Sequence, residues 1–269
     1  MPDRSVADSF LRLVGIMARL RGPGGCPWDR EQTPESLRPY VIEEAYEVLE
    51  AIEGGDPDAL RDELGDLLLQ VVFQAELAAE AGRFTIADVA STVADKLVRR
   101  HPHVFGGVEV RDADEVMRNW RRIKAEEVHA RGGEHDPLAS VPAALPALAR
   151  AQQLGEKARQ LGLDWADTAG VLAKLREEQA ELEAAVAADD RAAAARELGD
   201  VLLTLTSLAR HLHVPAEMAL RDAADRFVVR ARRAEAAARA GGVALVDLGP
   251  DERDRLWARA KHEDDAGSV

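Results

Sequence analysis

The chain has 269 residues, 46% of them hydrophobic, which is enough for one large or two small domains with real cores. Its formal charge of −14 argues against a surface built to neutralise nucleic-acid phosphates. A single cysteine, Cys26, excludes an intrachain disulfide and fits a reducing compartment, while no apolar run approaches the about 20 residues a membrane helix needs. The N-terminus (Asp3, Arg4, Asp8, Arg12) lacks a basic region followed by an apolar one, so the expected location is the cytoplasm.

Helical periodicity covers most of the chain, in which Ala, Leu, Glu and Arg dominate. It predicts helices near 4–20, 35–53, 57–81, 86–100 and 112–130, then near 147–161, 167–188, 190–212, 215–240 and 250–262. Only 107–110 (Gly-Val-Glu-Val) and 243–246 (Val-Ala-Leu-Val) look extended. Gly54-Gly55-Asp56-Pro57 stops one helix and opens the next, and Thr33-Pro34 and Val214-Pro215 open helices in the same way. The Gly- and Pro-rich stretch 131–146 reads as a linker between a first domain, 1–130, and a second, 147–269. The expected class is all-α.

The two halves carry the same acidic pattern. Glu43-Glu44-x-x-Glu47 is followed after 15 residues by Glu63-Leu64-Gly65-Asp66, and Glu177-Glu178-x-x-Glu181 after 15 by Glu197-Leu198-Gly199-Asp200. Carboxylates three apart on a helix share a face. Each copy therefore describes two helices presenting paired acids to each other. With 49 acids in the chain, one Glu-x-x-Glu run arises easily on a solvated face. A wheel of 41–53 even fits that bland reading, since Val41, Ile42, Ala45, Leu49 and Ile52 form an apolar stripe and the acids lie off it.

The second helix of each pair decides otherwise. From Leu64 to Ala79 the chain is apolar almost all round, and Glu63, Asp66, Gln70 and Gln74 form one narrow polar stripe. Glu197, Asp200, Thr204, Ser207 and His211 do the same on a leucine-rich helix. Carboxylates on such helices are costly unless paired or bound to a cation. An oxygen-only set suits Mg²⁺, with Mn²⁺ as substitute. Glu44, Glu63, Glu178 and Glu197 each lack a histidine three residues on, which disfavours a di-iron bundle. The apolar excess on 64–79 and 201–212 exceeds what one small bundle covers, so a homodimer is expected.

Basic residues at i and i+4 follow each acid set. Lys96 with Arg100, and Arg226 with Arg230, are candidates to clamp phosphate oxygens. Lys124 and Lys261 follow tryptophans Trp120 and Trp257 by one turn, a pairing suited to a phosphate and a base or ribose. His101, His103, His211 and His213 read as helix-end packing, and Cys26 as a loop residue.

These residues together resemble the MazG family of nucleoside triphosphate pyrophosphohydrolases, in its two-domain bacterial form. The resemblance rests on Gly25-Cys26-Pro27-Trp28-Asp29, both acid sets, Arg99-Arg100-His101-Pro102-His103-Val104-Phe105 and the linker Leu145-Pro146-Ala147-Leu148. It implies two tandem four-helix-bundle-like modules that dimerise, and Mg²⁺-dependent hydrolysis of nucleoside triphosphates to monophosphate and pyrophosphate. The implied metal ligands are Glu44, Glu47, Glu63 and Asp66, and again Glu178, Glu181, Glu197 and Asp200. Glu43 and Glu177 would orient or deprotonate the water, and Arg226, Arg230, Trp257 and Lys261 would hold the triphosphate. The second half has the fuller matched set of acids and bases. The competing readings are a metal-binding helical protein without catalysis and a structural dimer with merely solvated acids.

Overall fold

The computed structural model describes residues 4–130 and 136–266. Among the described residues there are twelve α-helices, two 3₁₀ turns and no strand. The chain divides into two compact units, Met1–Gly133 and Glu134–Val269.

In the first unit α1 is Arg4–Arg21, α2 Pro27–Glu31, α3 Arg38–Gly54, α4 Pro57–Glu80, α5 Ile86–Arg100, α6 Pro102–Phe105 and α7 Ala113–Ala130. The core sits where α1 crosses α4: Met17, Leu37, Val72, Phe73 and Leu77 are buried, with Phe10, Leu13, Val14, Leu69 and Ile86 packed around them. Arg21 closes one side, its guanidinium 5.5 Å from the Phe73 ring centre and 2.7 Å from Glu80. The second unit contains α8 (Ala147–Gln160), α9 (Thr168–Ala187), α10 (Arg191–His211), α11 (Ala216–Ala240) and α12 (Pro250–Ala266). The 3₁₀ turns are Leu138–Ser140 and Leu245–Asp247. Ala234 and Ala238 of α11 and Ala260 of α12 are buried, so these two packed helices meet through small side chains.

The two helix pairs that matter for function are joined by the same turn. Gly55 ends α3 in the left-handed conformation (φ 69°), Asp56 caps α4 by accepting from the Asp58 amide at 2.9 Å, and Pro57 takes the first helical position. Asp189 holds the equivalent left-handed position (φ 53°), and Asp190 caps α10 through the Ala192 and Ala193 amides. So short a turn forces α3 against α4, and α9 against α10, in antiparallel pairs, which is what brings the acids together.

Two expectations need correcting. The stripe Val41, Ile42, Ala45, Leu49 and Ile52 is not the buried face of α3. Val48 and Ala51 are buried, whereas Val41, Ile42 and Ile52 are exposed. Helix α4 packs on the face that carries Glu44, Val48 and Ala51, spaced by four and three residues, so the acid lies on the inner side. The extended segments also form no strand: 107–110 is irregular, and 243–246 runs into a 3₁₀ turn.

Candidate metal centres

Each antiparallel pair gathers three carboxylates. Oxygens of Glu44, Glu63 and Asp66 lie within 4.8 Å of one another, and so do oxygens of Glu178, Glu197 and Asp200. Corresponding residues stand 134 positions apart throughout, from 44 and 178 to 66 and 200. A Mg²⁺ ion binds oxygens at about 2.0–2.1 Å, so ligands on its opposite sides are about 4 Å apart. Small side-chain rotations would bring either trio into one coordination shell. The donor set, all carboxylate, is that of a hard divalent cation.

The fourth acid of each set is a close neighbour of its trio. Burial pushes the Glu44 carboxyl up, and the charges of Asp66, Glu47 and Glu43 add to this, with Glu47 also hydrogen-bonded to it. Glu63 is raised by desolvation and by Glu47 and Asp66. In the second unit Glu181 is raised by desolvation and then by Glu178, with Lys174 opposing and Glu197 adding. Like charges held this close favour a proton or a cation between them. A bound divalent ion would relieve both clusters.

The clusters differ in their surroundings. Glu178 is 6% exposed, whereas Glu44 is half-buried. Lys174, one turn earlier on α9, places its Nζ 2.7 Å from Glu178 and 2.6 Å from Glu177. These two carboxylates hold its ammonium well above the usual lysine range. Sequence reasoning overlooked Lys174, although its position three and four residues before two glutamates is a legible signal. At the matching position the first unit has Tyr40. Of the candidate bases, Glu43 is exposed and Glu177 is tied to Lys174.

The proposed phosphate and base contacts fall into two groups. In the first unit Arg100 reaches Glu127 at 2.6 Å and lies 4.9 Å from the Trp120 ring centre, with Lys124 at 5.5 Å from the same ring. Arg99 shares Glu127 at 2.6 Å. Arg100 first, then Arg99, holds the Glu127 carboxyl down at about 2. Lys96 instead lines an open hollow along α5 with Phe84, Asp88 and Thr92. In the second unit Trp257 packs on Phe227, ring centres 5.4 Å apart, and Arg226 and Lys261 are exposed while Arg230 is half-buried. The histidines behave as helix-end groups: His101 Nδ1 is 2.7 Å from the Leu97 carbonyl, and His211 meets Asp164 at 3.2 Å.

Fold and site together define a class, an all-α protein built of antiparallel helix pairs whose clustered carboxylates could hold a metal ion. The MazG nucleotide pyrophosphohydrolase domain matches at residues 32–105 and 167–235, segments that contain one cluster each. A nucleoside triphosphate pyrophosphohydrolase of Escherichia coli K12 is 43% identical over 256 residues, covering 94% of this chain and 97% of the relative. The nucleoside triphosphate pyrophosphohydrolase/pyrophosphatase MazG of Thermotoga maritima is 44% identical over 260 residues, covering 95% and 97%. YabN of Bacillus subtilis is 42% identical over 260 residues, covering 96% of this chain and 53% of the relative. The chain belongs to the MazG family, in its tandem form.

Proposed function

We propose that the chain hydrolyses nucleoside triphosphates to the monophosphate and pyrophosphate, with Mg²⁺ held by these carboxylates. The observation that carries the reading is the carboxylate trio repeated on two antiparallel helix pairs, each inside a segment matched by the pyrophosphohydrolase domain. The names of the full-length relatives support the same activity.

In this reaction a water oxygen bonds to phosphorus, the bond to the pyrophosphate oxygen breaks, and the water's proton passes to a base. When bound, the cation neutralises charge that develops on the phosphoryl oxygens. Glu44, Glu47, Glu63 and Asp66 in the first unit, and Glu178, Glu181, Glu197 and Asp200 in the second, are its ligands in this reading. Glu43 and Glu177 orient the water. Arg226, Arg230, Trp257 and Lys261 take the triphosphate in the second unit, and Lys96, Arg100, Trp120 and Lys124 are their counterparts.

We assign most turnover to the second unit. Arg100, one arm of the first unit's clamp, is held by Glu127 and lies over the Trp120 ring. In the second unit Lys174 holds the buried Glu178 in place through an ion pair at 2.7 Å. The working form is a homodimer in the cytoplasm. No helix among the described residues is long and apolar enough to cross a membrane.

The test is pyrophosphate release from a panel of nucleoside triphosphates. Activity should vanish with a chelator and return with Mg²⁺ or Mn²⁺. Recovery with Zn²⁺ alone would contradict the assignment of a hard cation.

A further inference from the structure

The layer one helical turn from the acids differs between the units. Gln70 follows Asp66 by one turn on α4, is 7% exposed, and its enclosed Oε1 accepts no hydrogen bond. Buried amides are almost always paired, because an unpaired one forfeits its bonds to water without replacement. The enclosed oxygen of Gln70 is left able to accept from a donor outside the chain, whether a water or a ligand.

Two contacts fix where Gln70 stands. Glu44 of α3 meets Glu63 and Asp66 of α4, and farther along the same pair Gln74 Nε2 donates to the Pro34 carbonyl at 3.2 Å. Gln70 lies between these anchor points. In an antiparallel pair that register sets it level with Tyr40, one turn before Glu44. The Tyr40 ring packs edge-on to Trp28 at 6.0 Å, and both aromatics are partly open to solvent, Trp28 at 50%. The first unit therefore lines up a carboxylate cluster, then an unpaired buried amide level with an open aromatic pair. The second unit has Lys174 and Thr204 at the matching positions, and its lysine bridges the acids.

We propose that the first unit is a nucleotide-binding site in its own right, in which Gln70 reads the nucleobase. The assignment rests on the nucleotide reading of the carboxylate clusters given above. An amide sets an acceptor beside a donor, the complement of a base edge such as that of adenine. Trp28 and Tyr40 offer rings on which a base stacks. The acids hold the cation that accompanies the phosphates. One turn of helix, about 5.4 Å, separates the amide from the acids, a step that a single nucleoside spans. Lys174 and Thr204 remove this base-reading layer from the second unit, so the two units discriminate nucleotides differently.

The experiment uses the full chain carrying Asp200→Asn, which disables the second cluster, with Mg²⁺ and two probes. One is α,β-methylene ATP, which cannot be cleaved at the α–β bridge, and the other is inorganic triphosphate, which has no base. Calorimetry should show the nucleotide analogue binding, and adding Gln70→Leu should weaken it at least tenfold. Triphosphate affinity should stay within twofold, and the melting temperature without ligand should not fall, since an apolar group replaces an unpaired amide. Gln70→Thr, which imports the second unit's residue, gives the same loss and serves if the leucine variant does not fold. An analogue affinity indifferent to residue 70, an equal loss for triphosphate, or no binding to the Asp200→Asn chain would overturn the proposal. A wild-type chain that releases no pyrophosphate yet binds the analogue through Gln70 would instead support it while overturning the hydrolase reading.

Discussion

Glu127 receives both Arg99 and Arg100 at 2.6 Å and is only 14% exposed at its side chain. Its folded pKa of about 2 lies below the ordinary 4.5. A depressed carboxylate contributes stability above its unfolded pKa and loses it as pH falls through the folded value. The first unit should therefore lose this contribution between about pH 4.5 and pH 2, and Glu127→Gln should flatten that part of the acid-unfolding curve. A variant whose acid limb matches the wild type would show that the pair contributes nothing. The acids and bases themselves were legible as residues, because spacing of three and four on a helix is a geometric statement. Their partners were not. Nothing in the spacing told that Arg100 is engaged by a glutamate 27 residues on, or that Gln70 is buried without a bond.

At the level of elements, the long helices follow from the sequence with ends shifted by a few residues, as at α3, expected from 35 and found from Arg38. Pro57 at the first helical position and Gly55 in the left-handed region fix the α3–α4 turn by their own backbone chemistry. Helices α2 and α6 escaped because five and four residues are too few to display a period. The face of α3 also escaped, because its apolar positions exceed what α4 covers, and periodicity alone does not say which of them meets the neighbour. The cap of α10 supplies a clean test. Asp190 accepts from two amides, at 3.1 and 2.9 Å. Asp190→Ala should cost about 1 kcal/mol of stability, read as a lowered denaturant midpoint with unchanged slope. An unaltered midpoint would mean that the cap is dispensable.

At the level of the whole molecule, α4 and α10 each leave a stripe of apolar side chains open. Leu64, Leu68 and Val71 on α4, and Leu198, Leu202 and Leu205 on α10, are each between 39% and 49% exposed. Inside α10 it is instead Thr204, Thr206 and Ser207 that are buried. Leucines left outside and hydroxyls turned inside describe a helix whose apolar face awaits another surface. Since the same stripe recurs in both units 134 residues apart, a second copy of the chain offers a matching surface for each. Light scattering at micromolar concentration should report a dimer, and Leu202→Glu should dissociate or weaken it. A compact monomer in the wild type would show that these stripes do not join two copies.

In the proposed function, carboxylate clusters on helix pairs hold the cation for triphosphate hydrolysis, and the second cluster carries most of the turnover. Removing one such electrostatic group costs on the order of a hundredfold or more in turnover. The direct measurement is pyrophosphate release at saturating Mg²⁺ by Glu178→Ala, Asp200→Ala, Glu44→Ala and Asp66→Ala, with helical content checked for each. Near-abolition is expected for the first two and a smaller loss for the others. Loss confined to Glu44→Ala and Asp66→Ala would move the working site to the first unit, and wild-type turnover in all four would contradict the proposed function itself.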